Sequence, residues 1–167
     1  FKIFKNFEHT KEFLNTTKFP LVIKADGLAA GKGVYICKNI QDGIVAAEEI
    51  FGGKFGVAKS LLIEDFLTGE EMSYFVICDG KNYQFLGTAQ DHKRVGEGDV
   101  GKNTGGMGCY SPSRLFTKEL AKKVNEKIIN PTLKAIKSLG TTYKGFLYVG
   151  LMIKDDNPYL VEFNVRM

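Results

Sequence analysis

No apolar run in this chain approaches the ~20 residues that a helix needs to span a bilayer, and no charged-then-apolar leader opens it. The cysteines are only three, Cys37, Cys78 and Cys109. Their number is odd, they lie far apart and none forms a C-x-x-C pair, which argues against a disulfide framework or a zinc site as the organising device. A block of like charge is also missing, because the net charge of +4 is spread along the chain. Diffuse positive charge suits phosphate-bearing small molecules and is too spread out to argue strongly for nucleic acid. No Ser-His-Asp or Cys-His pairing offers an activated nucleophile. What is present is ordinary for a globular protein, with 44% hydrophobic and 25% charged residues in 167, enough for one good core or two small subdomains. A cytoplasmic protein with no membrane and no nucleic-acid partner is expected. Because it opens at Phe1 and stops at Met167, directly after a charged segment, the chain reads as the central piece of something longer.

The most informative stretch is Pro20 to Val34, P-L-V-I-K-A-D-G-L-A-A-G-K-G-V. Leu21, Val22 and Ile23 are a buried-strand signal that delivers Lys24 into a glycine-rich segment. Gly27, Gly31 and Gly33 permit positive φ and leave no Cβ in the way, so successive N–H groups can line one concavity, with Lys24 and Lys32 at its edges. The spacing is not that of a P-loop, which needs four residues before its Gly-Lys pair, a hydroxyl after it and then a helix. A dinucleotide fingerprint fails too, since Val34 to Cys37 looks like a second strand. Strand, glycine loop, strand describes either a flap that closes over an anion or a plain hairpin tip.

Further elements follow in order. Phe1 to Phe4 reads as a strand, and Glu8 to Asn15 as a helix with Phe13 and Leu14 inward. A helix over Ile40 to Phe51 is capped by Asn39 and Asp42, stopped by Gly52 and Gly53, and buried through Ile44, Val45, Ala47 and Ile50. Leu61 to Phe66 is an apolar strand ending in acid. The Glu64 to Glu71 crossover either lines a nucleoside site or is an acidic turn. Met72 to Cys78 and Tyr83 to Ala89 pair through a hairpin at Gly80. Gln90 to Pro112 is long, polar and aperiodic, the mark of a functional or a disordered loop. Its Asp91, His92, Lys93 and Arg94 set an acid, a potential base and two cations side by side, and Asn103 to Gly108 makes a second glycine loop. A long helix over Thr117 to Leu139 carries Leu120, Val124, Ile128, Leu133 and Ile136 on one side, with Pro131 kinking or dividing it. Gly145 to Ile153 is almost wholly apolar and therefore central in a sheet. In Tyr159 to Phe163, Glu162 interrupts an expected buried strand. Asn164 and Arg166 follow it on the same face by the period of two, and Glu162 with Asn164 offers hard oxygen ligands for Mg²⁺ against phosphate.

In this order the motifs V-I-K-A-D-G-L-A-A-G-K-G-V, Q-D-H-K-R, N-T-G-G-M-G-C-Y-S-P, G-F-L-Y-V-G-L-M-I and V-E-F-N-V-R resemble those of the phosphoribosylamine-glycine ligase (glycinamide ribonucleotide synthetase) family of the ATP-grasp superfamily. The resemblance implies an α+β fold of two subdomains with antiparallel-rich sheets clasping ATP: a small lid over residues 1–63 and a larger, incomplete subdomain over residues 64–167. It implies an ATP-dependent ligase of purine biosynthesis that activates glycine as glycyl phosphate and passes it to 5-phosphoribosylamine, with another carboxylate-amine ligase of the superfamily as the alternative. Carried over by motif, Lys24, Gly27, Gly31, Lys32 and Gly33 hold the ATP phosphates. Glu64, Asp65, Phe66 and Leu67 meet the adenine, Glu71 the ribose, and Glu162 and Asn164 hold Mg²⁺ or Mn²⁺. Asp91, His92, Lys93, Arg94, Asn103 and Arg166 face glycine and the phosphoribosyl group, with Asp91, Lys93 and Arg166 as the catalytic side chains. Two departures stand out: the family's N- and C-terminal domains and its Gly-Asp-Pro-Glu continuation are absent from these residues, and Gly145 to Ile153 carries no acidic metal ligand. Residues 1–167 alone are expected to bind nucleotide without turnover.

Overall fold

The computed structural model describes residues 1–27, 32–98 and 100–166, apart from the side chains of Arg94 and Asn103. They form two compact units, Phe1–Leu67 and Thr68–Met167. Gly31, with residues 28–30, lies outside the described residues.

The first unit runs β1 (Lys2–Phe4), α1 (Phe7–Leu14), β2 (Leu21–Ala25), β3 (Val34–Cys37), α2 (Ile40–Phe51) and β4 (Leu61–Asp65). Its sheet has the order β1-β4-β2-β3, antiparallel throughout. Alternation sends Leu21 and Ile23 of β2 and Leu61 and Ile63 of β4 into a core closed by Leu14, Ala46, Ala47 and Ile50 of the helices. The cap of α2 is reciprocal: Asn39 Oδ1 accepts from the Asp42 N–H at 3.0 Å, and Asp42 Oδ2 accepts from the Lys38 N–H at 2.9 Å. Val45, expected on the buried side, is 42% exposed. The buried stripe is instead Gly43, Ala46, Ala47 and Ile50, an i, i+3, i+4, i+7 set that begins on a glycine. A Cβ on Gly43 would stand 3.1 Å from a Leu14 methyl, a tight contact that the glycine avoids where the Leu14 side chain of α1 meets α2.

The second unit comprises β5 (Glu70–Asp79), β6 (Tyr83–Asp91), β7 (Arg94–Gly96), β8 (Val100–Asn103), β9 (Cys109–Tyr110), α3 (Lys118–Val124), a π-helical turn (Asn125–Ile129), α4 (Asn130–Ser138), β10 (Lys144–Lys154) and β11 (Asn157–Asn164). The main sheet has the order β11-β10-β5-β6-β9, with β7 and β8 as a separate ribbon. The β5–β6 turn is set by the Asp79 carboxylate, which accepts from the backbone N–H groups of Asn82 (2.6 Å) and Lys81 (2.7 Å). Those donors hold its pKa below the usual carboxylate value, and Gly80 takes φ +97°. One face of the sheet, through Met72, Tyr74 and Val76 of β5 and Leu147, Val149 and Leu151 of β10, packs on Leu120, Val124, Ile128 and Ile129.

Three expectations change here. The Gln90–Pro112 stretch is not one loop, because β9 pairs with the end of β6 and β7 pairs with β8; backbone pairing needs no apolar period to form. The long helix is continuous but widens to a π-helical turn just before Pro131, whose ring would collide with the carbonyl four residues back and cannot bond to it. Glu162 is exposed rather than buried, because β11 is an edge strand with β10 on one side only. As expected, β10 is an interior strand, paired with both β11 and β5.

Ile129 is fully buried, so Ile129→Ala should cost about 2–5 kcal/mol, read as a lower urea midpoint for the transition in which the β10 amides lose exchange protection. Burial, and then the Asp42 charge, pushes the Cys37 thiol up to about 11; burial also raises Cys78, whereas Cys109 is exposed. Alkylation under native conditions at pH 8, followed by peptide mapping, should modify Cys109 at least roughly a hundredfold faster than Cys37.

Candidate functional site

In the first unit, alternation along β2 that buries Leu21 and Ile23 turns Lys24 to the opposite face. Val22 stands opposite Glu64 in the β2–β4 register, which makes Lys24 and Glu64 diagonal neighbours on that face. Their side chains form an ion pair at 2.6 Å. The base of the glycine segment is pinned where the Ala25 N–H donates to the Gly33 carbonyl at 2.8 Å. Gly27 has φ +149° with open space where a Cβ would be, and Lys32 is exposed. Glu64 and Asp65 close β4, and Phe66 and half-buried Leu67 follow it.

In the second unit, the sheet face opposite the helices holds a hollow. Glu71 and Ser73 come from β5, Asp91 from the end of β6, Lys93 from just beyond it, Tyr148 and Gly150 from β10, and Glu162 from β11. Lys93 Nζ lies 2.8 Å from a Glu71 oxygen and 3.2 Å from an Asp91 oxygen. Partial burial works to lower the pKa of this ammonium, but the hydrogen bonds and charges of Glu71 and Asp91 outweigh it, and the net displacement is upward. A neighbouring hollow shares Glu71, Asp91 and Lys93 and adds His92, Tyr110 and Arg114.

Gly150 sits opposite Glu162 in the β10–β11 register. A Cβ there would meet Glu162 Cγ at 3.1 Å and the Tyr148 ring at 3.2 Å, so the glycine keeps room for the carboxylate on the floor of the hollow. Asn164 Nδ2 donates to Glu162 Oε1 at 3.1 Å, which puts both side chains on one face as the period of two requires. Two hard donors so placed fit a Mg²⁺ ion that takes its remaining ligands from phosphate and water. Among the described residues, no group of three His, Cys, Asp or Glu side chains gathers into a metal cluster. Arg166 is exposed past the end of β11, outside the strand's alternation. His92 is exposed beside Tyr110, ring centroids 5.6 Å apart. The side chains of Arg94 and Asn103 lie outside the described residues, while their backbones pair across the β7–β8 ribbon.

Ser73, Tyr148, Gly150 and Arg114 were not among the expected site residues. Tyr148 and Gly150 were legible in principle, since the buried alternation of β10 through Leu147, Val149 and Leu151 turns them to the other face. Arg114 forms an ion pair with Glu70, and no local pattern announces a pairing across so much sequence.

Two α+β units with antiparallel sheets, one carrying a lysine strand that runs into a glycine segment and the other a carboxylate-lined hollow, make this chain an ATP-grasp domain. The model of the family described as phosphoribosylglycinamide synthetase, ATP-grasp (A) domain, matches residues 1–167, and the chain belongs to that family. It is 48% identical to phosphoribosylamine--glycine ligase of Chlorobaculum tepidum, over all of this chain and 40% of that protein. With the enzyme of the same name from Brucella melitensis it shares 46% identity, over 98% of this chain and 38% of the relative. The crystal structure of phosphoribosylamine--glycine ligase from Thermotoga maritima superposes with a TM-score of 0.88 at 38% identity, covering 99% of this chain and 42% of that one. The chain thus spans about two fifths of the length of these relatives.

Removing the Lys93 ammonium leaves Glu71 and Asp91 facing one hollow with no cation between them. A lysine whose pKa is raised on folding stabilises the fold fully below its ordinary value of 10.5 and loses that contribution as pH rises through the raised value. The Tm deficit of Lys93→Met relative to wild type should therefore be constant from about pH 7 to 9 and close as pH rises past 10.5 through the raised value, followed by calorimetry.

Proposed function

We propose that the whole protein carrying this domain is an ATP-dependent ligase that joins glycine to 5-phosphoribosylamine through glycyl phosphate. The observation that carries this is the convergence of Lys93, Glu71, Asp91 and Glu162, far apart in sequence, on one hollow in a chain whose family match runs end to end. Lys24 and the glycine segment at Gly27, Gly31, Lys32 and Gly33 take the ATP phosphates, residues 64–67 the adenine and Glu71 the ribose.

Glu162 and Asn164 hold the divalent cation, which supplies charge neutralisation on the phosphate oxygens. The γ-phosphoryl group passes to the glycine carboxylate, giving glycyl phosphate and ADP. The amine then attacks the acyl carbon and phosphate leaves with the bonding pair. Such chemistry requires in-line positioning and charge stabilisation rather than a protein nucleophile, which suits a hollow lined by carboxylates, one ammonium and two hydroxyls. Asp91, His92, Lys93, Arg94, Asn103 and Arg166 orient glycine and the phosphoribosyl group, with Asp91, Lys93 and Arg166 closest to the reacting atoms. Residues 1–167 alone bind nucleotide without turning over.

The full-length protein should release phosphate only when ATP, glycine and 5-phosphoribosylamine are all present. Glu162→Ala should lower kcat/KM by about 10²-fold or more, with partial recovery at high Mg²⁺. Product formation with a different amine or carboxylate and not with this pair would assign the protein to another ligase of the superfamily; unchanged turnover in Glu162→Ala would remove the metal role.

A further inference from the structure

Behind Asp91, His92 and Lys93 lies a polar cluster that the chemistry above does not use. Thr88, Gln90 and Ser113 are all buried. The side-chain oxygen of Gln90 accepts from the Tyr110 hydroxyl at 2.6 Å and from the Ser113 hydroxyl at 3.0 Å. Nearby, the Ser113 N–H donates to the Thr88 hydroxyl at 3.1 Å, and the Ser111 hydroxyl to the Thr88 carbonyl at 2.8 Å. Gln90 and Tyr110 both reach the neighbouring hollow that His92 lines, and the Tyr110 ring stands against the His92 imidazole. The His92 backbone is clamped as well: its N–H donates to the Gly108 carbonyl at 3.0 Å, and its carbonyl accepts from the Thr104 hydroxyl at 2.6 Å.

We infer that Gln90 is a positioning residue, which through Tyr110 holds the His92 imidazole at the rim of the hollow for the phosphoribosyl amine substrate rather than for ATP. The physical reason is that a buried carbonyl oxygen accepting two hydroxyls fixes both donors, and leaving such donors unpaired is costly. The hydroxyl bond holds the Tyr110 ring in place, and that ring is the contact the exposed His92 imidazole makes. Because β9 makes only a two-residue pairing with β6, the side-chain bonds carry much of this register. The inference rests on the function proposed above.

The test compares Gln90→Leu, Gln90→Glu and Tyr110→Phe in the full-length protein. Gln90→Glu keeps an acceptor oxygen for both hydroxyls; Tyr110→Phe keeps the ring and the fold while removing one bond. Gln90→Leu and Tyr110→Phe should shift the His92 imidazole resonances, which report its ring contact. They should also lower kcat/KM for 5-phosphoribosylamine about tenfold or more, leave the KM for ATP within about twofold, and be matched by near wild-type behaviour of Gln90→Glu. An unmoved His92 resonance, an ATP KM that rises in step, or a Gln90→Glu as impaired as Gln90→Leu would overturn the positioning role. If wild-type protein makes no product from these substrates, the proposed function fails, and the His92 resonances still decide the positioning.

Discussion

Glu71 is the second residue of β5 and Asp91 the last of β6, so antiparallel pairing of the two strands brings two carboxylates to one rim of the sheet. The Lys93 ammonium, within hydrogen-bond distance of both, is what makes that rim tenable. Like charges at such range repel by kilocalories wherever water is partly excluded, and a shared cation converts the repulsion into a fixed geometry. The upward displacement of its pKa expresses the same coupling from the lysine's side. Both hollows on this face share the three side chains as a common wall, so the shape available to any ligand depends on this ionic contact.

The opposite wall is governed by an edge and a vacancy of side chain. β11 pairs on one side only, which leaves Glu162 exposed to water rather than enclosed between two strands. Gly150 across the register then leaves room for it. Beneath both walls, the apolar residues of β5 and β10 pack on α3 and the π-helical turn, a rigid backing for a polar surface. That division of labour, one face of a sheet for stability and the other for chemistry, explains why the expected site residues of this unit lie on strand ends and edges.

Much of this was legible in advance. Apolar runs placed β2 and β10, a glycine hairpin signal placed β5 and β6, and Asn39 with Asp42 marked the start of α2, because these signals act within a few residues. The Lys24 to Gly33 and Glu162 to Asn164 patterns also announced polar groups at strand ends. What misled were inferences about neighbours. Val45 looked like core because a valine counts as apolar while Gly43, which leaves the space, does not. Glu162 looked buried because an apolar strand next to it in sequence said nothing about which strand would lie at the edge.

The sequence by itself therefore determined the longer strands and helices, the glycine segment, the polar residues at strand ends and the family resemblance, since each rests on local steric and hydrogen-bonding preferences read over short windows. Only the tertiary structure decided that Lys93 answers Glu71 and Asp91, that Lys24 pairs with Glu64, that Gly150 makes way for Glu162, and that Gln90 gathers Tyr110 and Ser113. Those contacts join residues far apart along the chain, and their partners are chosen by strand order and register, which emerge only when the whole core packs.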